Sequence, residues 1–314
     1  MIAKNTPTLI ILLGPTAVGK TSIAIELGMW LSTSIVSTDS RQFYKEMNIG
    51  TAKPSPEELN KVTHHLVDFL SVKDPYDVKK FEEDALNCLS TIFQHKKCAI
   101  ATGGSGLFVK TLCEGIDPMP DIPEKIRNNL QQRLEEKGLE NLLSELLEVD
   151  PEYYSEVDLY NHRRVLRALE VYHACGKPYS SYRKQQLSRV NRPFEIVKIG
   201  LNRDRKELYE RINQRVDQMV NEGLFAEVDS LVDFQEHNAL QTVGYQEVFP
   251  FLRGDYGQEE AIRLIKRNTR RFAKRQLTWF RKDAEVKWFQ LSGREEDALQ
   301  EIKNYLKIRL STGA

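Results

Sequence analysis

Apolar and polar positions in the first hundred residues switch between two periods. Three short runs rich in apolar and β-branched residues, 9–13, 34–37 and 98–102, have the length of buried strands. Between them, segments 21–31 and 78–94 carry apolar residues at helical spacing. Strand alternating with helix predicts an α/β fold: a parallel sheet with helices on both faces, in which ligands bind outside the carboxyl ends of the strands. Each run ends at something chemical, namely Gly14, Asp39 and Gly103-Gly104. The pattern thus predicts one site where the three strand ends meet.

The middle of the chain changes character. Residues 117–158 hold twelve acidic and four basic side chains, whereas 159–192 hold one acidic and eight basic. Leu130, Leu134, Leu139, Leu142, Leu143, Leu146 and Leu147 recur at near-helical spacing, which predicts an all-helical segment. The strand-like run 196–201 then returns to the sheet. We read 117–195 as a mostly helical insertion in an α/β core made of 1–116 and 196–314. Its basic half is expected to face a polyanion and its acidic half solvent, although such runs are more often plain solvated faces. A helix over 204–223, a looser region through 256, a long helix over 258–282, a strand at 286–291 and a closing helix at 295–310 complete the expected order. No internal repeat or low-complexity segment interrupts it.

Composition adds little. Lys plus Arg and Asp plus Glu balance at 45 each, so net charge points to no partner. The 40% hydrophobic and 29% charged content fits an ordinary globular protein. Cys88, Cys98, Cys113 and Cys175 form no C-x-x-C pair, so reduced thiols in a cytoplasm are expected and a zinc site is not. The apolar run 9–13 is too short for an export signal and leads straight into a glycine-rich loop. No stretch approaches the ~20 apolar residues that cross a bilayer. Nothing demands more than a monomer.

The glycine-rich loop Gly14-Pro15-Thr16-Ala17-Val18-Gly19-Lys20-Thr21 fits the whole P-loop pattern between a strand and a helix. Such a loop turns backbone N–H groups around an anion and adds the potential of a helix N-terminus. Lys20 neutralises phosphate charge, and the Thr21 hydroxyl can hold Mg²⁺. It takes a diphosphate or triphosphate, ATP among them, whatever else is attached. The third strand run ends in Gly103-Gly104-Ser105, where many ATPases carry a metal-binding Asp, which weakens a motor-type reading. A small-molecule or nucleoside kinase using ATP on this loop remains the alternative. A GTPase-like module does not, because no N-K-x-D motif is present.

Asp39 is placed to act as Mg²⁺ ligand or general base, or merely to hold a turn. Arg211 and Arg215 lie four apart on one predicted helix face. We assign Arg211 to the phosphate site, against the alternative of a surface pair with Glu207. Residues 263–282 carry nine basic and no acidic side chains, interleaved with Phe272, Trp279 and Phe280. That is an electrostatic track for a phosphate backbone, its aromatics available for stacking or core packing, with Trp279 and Phe280 assigned to the core ahead of base stacking. His64 and His65, just before an expected strand, read as structural.

Several longer motifs occur in order: GPTAVGKT, DSRQ with its continuation MNIGTAKP, HHLVD, GGSGLF, RRVLRALEVY, LYERINQRVDQMVNEGL, VGYQE and RRFAKRQLTWFRK. Together they resemble the tRNA dimethylallyltransferase family, also called tRNA isopentenyltransferases, over almost the whole chain. The resemblance implies a P-loop NTPase-like core that grips the diphosphate of dimethylallyl diphosphate, with Mg²⁺ as cofactor. It implies prenylation of the N6 amine of the adenosine 3′-adjacent to the anticodon, flipped from the anticodon stem-loop into a channel between core and insertion. Asp39 is then the general base, and Ser105 keeps a hydroxyl where the family often has Thr.

The tRNA contacts implied by matching position are Asp39, Ser40, Arg41, Gln42 and Ser105, then Arg127, then Arg163, Arg164, Val165, Leu166 and Arg167. Further along they are Val243, Gly244 and Tyr245, and finally Lys274, Arg275, Gln276, Leu277, Thr278, Trp279, Phe280 and Arg281. Phe108 stands where Tyr is frequent and Arg163 where Gln is frequent, departures that touch local RNA contacts only. With neither a transit peptide nor a C-terminal zinc module apparent, the expected type is bacterial and cytoplasmic.

The implied chemistry makes sense of these groups. An adenine amine is a poor nucleophile, but an allylic carbon can lose diphosphate ahead of bond formation. Catalysis then rests on stabilising the leaving diphosphate, removing a proton from the amine and excluding water.

Overall fold

The computed structural model describes residues 6–117, 119–183 and 191–312. They fall into two compact units. One comprises residues 1–113 and 192–314, the other 114–191.

The larger unit is built on a six-stranded sheet. Its strands are β1 (Thr8–Leu13), β2 (Ile35–Ser37), β3 (His64–His65), β4 (Cys98–Thr102), β5 (Glu195–Asn202) and β6 (Lys287–Gln290), in the order β3-β2-β4-β1-β5-β6. Every neighbouring pair is parallel. β1 is buried along its whole length, and the unbroken apolar run LIILL after Thr8 suits a strand covered on both faces. Two apolar clusters fill the faces. Leu9, Ile11, Leu13, Ala99 and Ala101 point to one, and Ile10, Leu12, Ile35, Ile100 and Ile199 to the other. Because β4 sits between β1 and β2, the chain leaves β1 and β4 in diverging loops, and a crevice opens at their carboxyl ends.

The helices of this unit are α1 (Lys20–Leu31), α2 (Pro56–Lys61), α3 (Val78–Phe93), α4 (Gly106–Glu114), α9 (Arg205–Asn221), α10 (Leu224–Asp229), α11 (Val248–Leu252), α12 (Gln258–Phe280) and α13 (Glu295–Thr312). α3 opens at Asp77, whose carboxylate accepts the Lys79 and Lys80 N–H groups; Asp204 caps α9 in the same way. The region through 256 is less loose than its sequence suggests, since it contains α10 and α11. α2 buries no side chain and so has no apolar stripe to betray it. His64 and His65 do not precede a strand but form the edge strand β3. His64 Nδ1 pairs with the Val62 carbonyl at 2.8 Å, in keeping with the structural role expected of it.

The smaller unit contains α5 (Glu124–Val149), α6 (Pro151–Glu156), α7 (His162–Cys175) and α8 (Tyr179–Arg183). α5 is broken at Gly138, whose φ of 76° lies outside the helical region, yet Leu130 before the break and Leu142 and Leu146 after it reach one core. Asp150 is buried there and accepts the Tyr153 and Ser180 N–H groups at 3.1 and 2.8 Å.

The joins between units fall at 113/114 and 191/192, where the sequence reading put them at 116/117 and 195/196. Arg192 explains the second shift. Its guanidinium donates to the Leu112 and Thr111 carbonyls at 3.0 and 2.7 Å and pairs with Glu82, so the chain is anchored to the sheet unit before β5 begins.

Candidate active site

The P-loop follows β1 and passes into α1 through Gly19, which takes a left-handed φ of 108°, and no side chain caps the helix. The start of α1 is therefore open to an anion. Lys20 Nζ folds back to donate to the Gly14 and Pro15 carbonyls at 3.0 and 2.8 Å. Burial pushes the Lys20 pKa down to about 8; Asp39 opposes the shift, and Arg215 adds to it. From outside, Arg211 Nε donates to the Ala17 carbonyl at 2.9 Å and Arg203 Nε to the Val18 carbonyl at 2.8 Å. A trans peptide points its carbonyl and N–H opposite ways, so the Gly19 N–H points away from the Arg203 guanidinium that holds the Val18 carbonyl. The Val18 side chain itself is buried in the core.

Arg203 takes up Glu207 and Glu295, so the surface pair weighed for Arg211 and Glu207 does not form. Arg211 instead sits 3.7 Å from Glu295 and lines the cavity beside the P-loop.

Asp39 lies two residues beyond β2. Its Oδ1 accepts the Arg41 N–H at 3.0 Å, so the turn-holding role is real, and the side chain still faces the cavity. The loop after β4 supports this turn: Ser105 Oγ accepts the Ser40 N–H and pairs with Ser40 Oγ, both at 3.0 Å. Gln42 Nε2 donates to the Thr51 and Ala52 carbonyls at 3.3 and 3.2 Å.

α12 closes the site. Gln276, 5% exposed, accepts the Thr16 N–H through Oε1 at 2.8 Å and donates through Nε2 to the Gly104 carbonyl at 2.9 Å. Any Cβ at residue 104 would collide with this amide, which is why glycine stands there. One turn on, the Trp279 indole packs against Gly106 and stays 41% exposed.

Two cavities meet here. One, of about 530 Å³, is bounded by Lys20, Thr21, Glu58, Thr102 and Arg211. The other, of about 450 Å³, runs past Ser105 and Trp279 to an apolar end formed by Ile212, Val216, Met219 and Ile265. Thr16, Ala17, Asp39, Arg215, Phe272 and Gln276 belong to both. Arg215 is the residue that the sequence named beside Arg211 without assigning it a role. Burial pushes its guanidinium below its ordinary pKa, against the pull of Asp39, and it makes no hydrogen bond or ion pair among the described residues. Its spacing from Arg211 was the available signal, but spacing alone could not say which of the two faced inward.

Several expected RNA contacts are buried. Val165 and Leu166 lie in the helical unit's own core, and Arg167, half-buried, pairs with Glu170 at 3.2 Å. Tyr245 is wholly buried with its hydroxyl donating to Glu227 at 2.6 Å; Phe280 is 3% exposed, and Leu277 packs partly buried on the sheet. Gln276 is spent on the bridge just described. Helical periodicity accounts for those on α7 and α12, where a contiguous motif must turn some members inward, whereas Tyr245 lies in the turn before α11. Gly244 is buried as backbone, its N–H donating to Glu247 at 2.7 Å, while it and Val243 still line the second cavity.

Arg127, Arg163 and Arg164 are exposed in the helical unit, whereas Lys184 and Arg189 of its basic run lie outside the described residues. On α12 the exposed faces of Arg271, Lys274, Arg275 and Thr278, with Trp279 and Lys282, border a groove. Trp279 is thus at the surface and not in the core as expected, unlike its neighbour Phe280.

Residues 42–283 match the family described as IPP transferase. The tRNA dimethylallyltransferase 1 of Bacteroides thetaiotaomicron is 46% identical over 303 residues, which is 96% of each chain. The tRNA dimethylallyltransferase of Christiangramia forsetii is 47% identical over 97% of this chain and 99% of its own. Among solved structures, the full-length tRNA isopentenylpyrophosphate transferase of Bacillus halodurans superposes with a TM-score of 0.72 at 36% identity, covering 98% of this chain and 97% of that one. The kinase alternative gains no support from these relatives.

Proposed function

The chain belongs to the IPP transferase family, and on that footing we propose that it moves a dimethylallyl group from dimethylallyl diphosphate to the N6 amine of the adenosine 3′-adjacent to the anticodon in tRNA, releasing diphosphate. One observation carries the reading. A phosphate loop and a carboxylate share the wall between two joined cavities, one polar enough for a diphosphate and one apolar enough at its end for a prenyl chain.

In this reading the P-loop N–H groups, Lys20 and Arg215 neutralise the diphosphate as it leaves. Arg215 suits the task because its charge is desolvated and lacks a partner among the described residues. Arg211 acts from the rim, holding the loop through Ala17 while facing the same cavity. Asp39 takes the proton from the adenine amine: Oδ1 is kept by the Arg41 N–H, and its second oxygen is left to accept. The base enters from the Ser105 and Trp279 side of the second cavity, and the apolar walls of α9 and α12 keep water from the allylic carbon.

The donor set fits Mg²⁺. Thr21 offers a hard oxygen on the diphosphate cavity, and no group of three or more acidic, His or Cys side chains gathers among the described residues. Such a site suits an ion held largely by substrate phosphates. When bound, Mg²⁺ supplies further charge neutralisation on the diphosphate.

The exposed basic side chains of α12 and the groove beside them take the tRNA backbone at its anticodon stem-loop; within the helical unit, the exposed Arg127, Arg163 and Arg164 are further tRNA contacts of this reading. Among the described residues no helix is long and apolar enough to cross a membrane; we place the protein in the cytoplasm, working as a monomer. The test is direct. Unmodified tRNA, Mg²⁺ and either dimethylallyl diphosphate or ATP are incubated with the protein, and the digested nucleosides are weighed. A prenyl increment on adenosine supports the reading; ATP turnover without that increment overturns it.

A further inference from the structure

We propose that Glu227, which touches neither cavity, is a positioning residue for the reaction. From behind, it clamps the loop whose front forms the wall beside Asp39. The proposal rests on the prenyl-transfer reading.

The clamp is unusually complete. Glu227 Oε2 accepts the Asn48 and Ile49 N–H groups at 2.9 and 2.8 Å, and Oε1 accepts the Gly50 N–H at 3.0 Å and the Tyr245 hydroxyl at 2.6 Å. Three successive N–H groups converging on one point make an anion nest. Here a carboxylate from α10, nearly 180 positions away in sequence, fills it. Bonds to an ionised acceptor are short and strong, so the negative charge of Glu227 matters as well as its shape. The Tyr245 ring backs the loop at Gly50, where a Cβ would overlap the ring.

The front of the loop is functional surface. Gly50, Thr51 and Ala52 line the second cavity beside Asp39, Ser40 and Arg41, and Thr51 also lines the first. The Thr51 and Ala52 carbonyls receive Gln42, three residues past Asp39, so displacement of the loop is transmitted to the turn that aims the base. The loop needs holding, because Ala52 has a φ of +46°, a conformation that a residue with a Cβ adopts at a cost. A clamp that fixes Asn48–Gly50 from behind over-determines this turn.

Glu227→Gln keeps the shape but presents an NH₂ group to backbone donors, so half of the nest is lost. The expected result is a fall in kcat of about tenfold or more, the size that small misplacements of reacting groups produce. The Kd for inorganic diphosphate, set by the P-loop, Lys20 and Arg215, is expected to stay within about twofold, since uniform binding is untouched. Tyr245→Phe removes one donor of four and is expected to cost kcat less than about threefold. If Glu227→Gln does not fold, Glu227→Asp, too short to span the nest, is read by the same criteria. A kcat equal to wild type overturns the proposal, as does a parallel fall of kcat, diphosphate affinity and thermal midpoint. Wild-type protein that transfers no prenyl group marks failure of the functional reading instead.

Discussion

The Gln276 side chain accepts the Thr16 N–H at 2.8 Å, a bond that joins the P-loop to a helix 260 positions further along the chain. Its other end donates to the Gly104 carbonyl. One buried amide therefore sets the spacing between the loops that follow β1 and β4. Gln276→Ala is expected to leave the buried Gly104 carbonyl and the half-buried Thr16 N–H unpaired, the former at a cost of about 1–3 kcal/mol. Denaturant melts should show the lower stability, and prenyl transfer should fall with it. Gln276→Glu still accepts from Thr16 but opposes the Gly104 carbonyl, so it should be no better than the alanine variant. Wild-type stability in both would show that the bridge contributes nothing.

Asp39 combines a turn bond with the proposed proton transfer, and the two can be separated. Asp39→Asn keeps an oxygen for the Arg41 N–H but cannot take a proton from an amine. Transfer is expected to drop by about 10²–10⁴-fold, the usual contribution of a positioned base. Binding of tRNA, followed by filter retention, should stay near wild type. Equal losses of binding and transfer would make Asp39 a scaffold for the loop and nothing more.

Lys20 predicts a pH dependence in donor binding. Burial lowers its pKa to about 8, so the free protein loses this charge as pH rises through that value, well before an ordinary lysine would. The charged form is the one that attracts diphosphate. Affinity for dimethylallyl diphosphate should thus be full below pH 8 and weaken above it, approaching about tenfold per pH unit. Binding draws the pKa back up, so proton uptake should accompany it in that window. Calorimetry in buffers of different ionisation enthalpy reads both effects, and Lys20→Gln should flatten the profile. A wild-type profile that is already flat would mean that Lys20 stays charged throughout.

Local signals explain what could be read in the sequence. The P-loop, the strand runs around it and the long basic helix are contiguous patterns, and each maps onto β1, β2, β4, α1 or α12 to within a few residues. Asp39 was visible because it follows a strand end. What the sequence hid are facts about which way a side chain faces. Arg215 and Arg211 share a helix face, and only the packing of α9 shows that one reaches the P-loop carbonyl from the rim while the other faces both cavities. Tyr245 and Gln276 looked like parts of binding motifs, and their bonds to Glu227 and Thr16 could not be read because those partners are distant in sequence. Gly138 stayed hidden for the opposite reason: the leucine repeat runs on across the break in α5, so periodicity never faltered.

The two carbonyls that receive Lys20 bear on turnover. With Gly14 and Pro15 already offering it acceptors, the ammonium need not be stranded when the pocket empties. In the proposed diphosphate role, an arriving donor would exchange those bonds for phosphate oxygens, and a departing diphosphate would return them. On that reading, product escape would be a swap between two satisfied states of the ammonium.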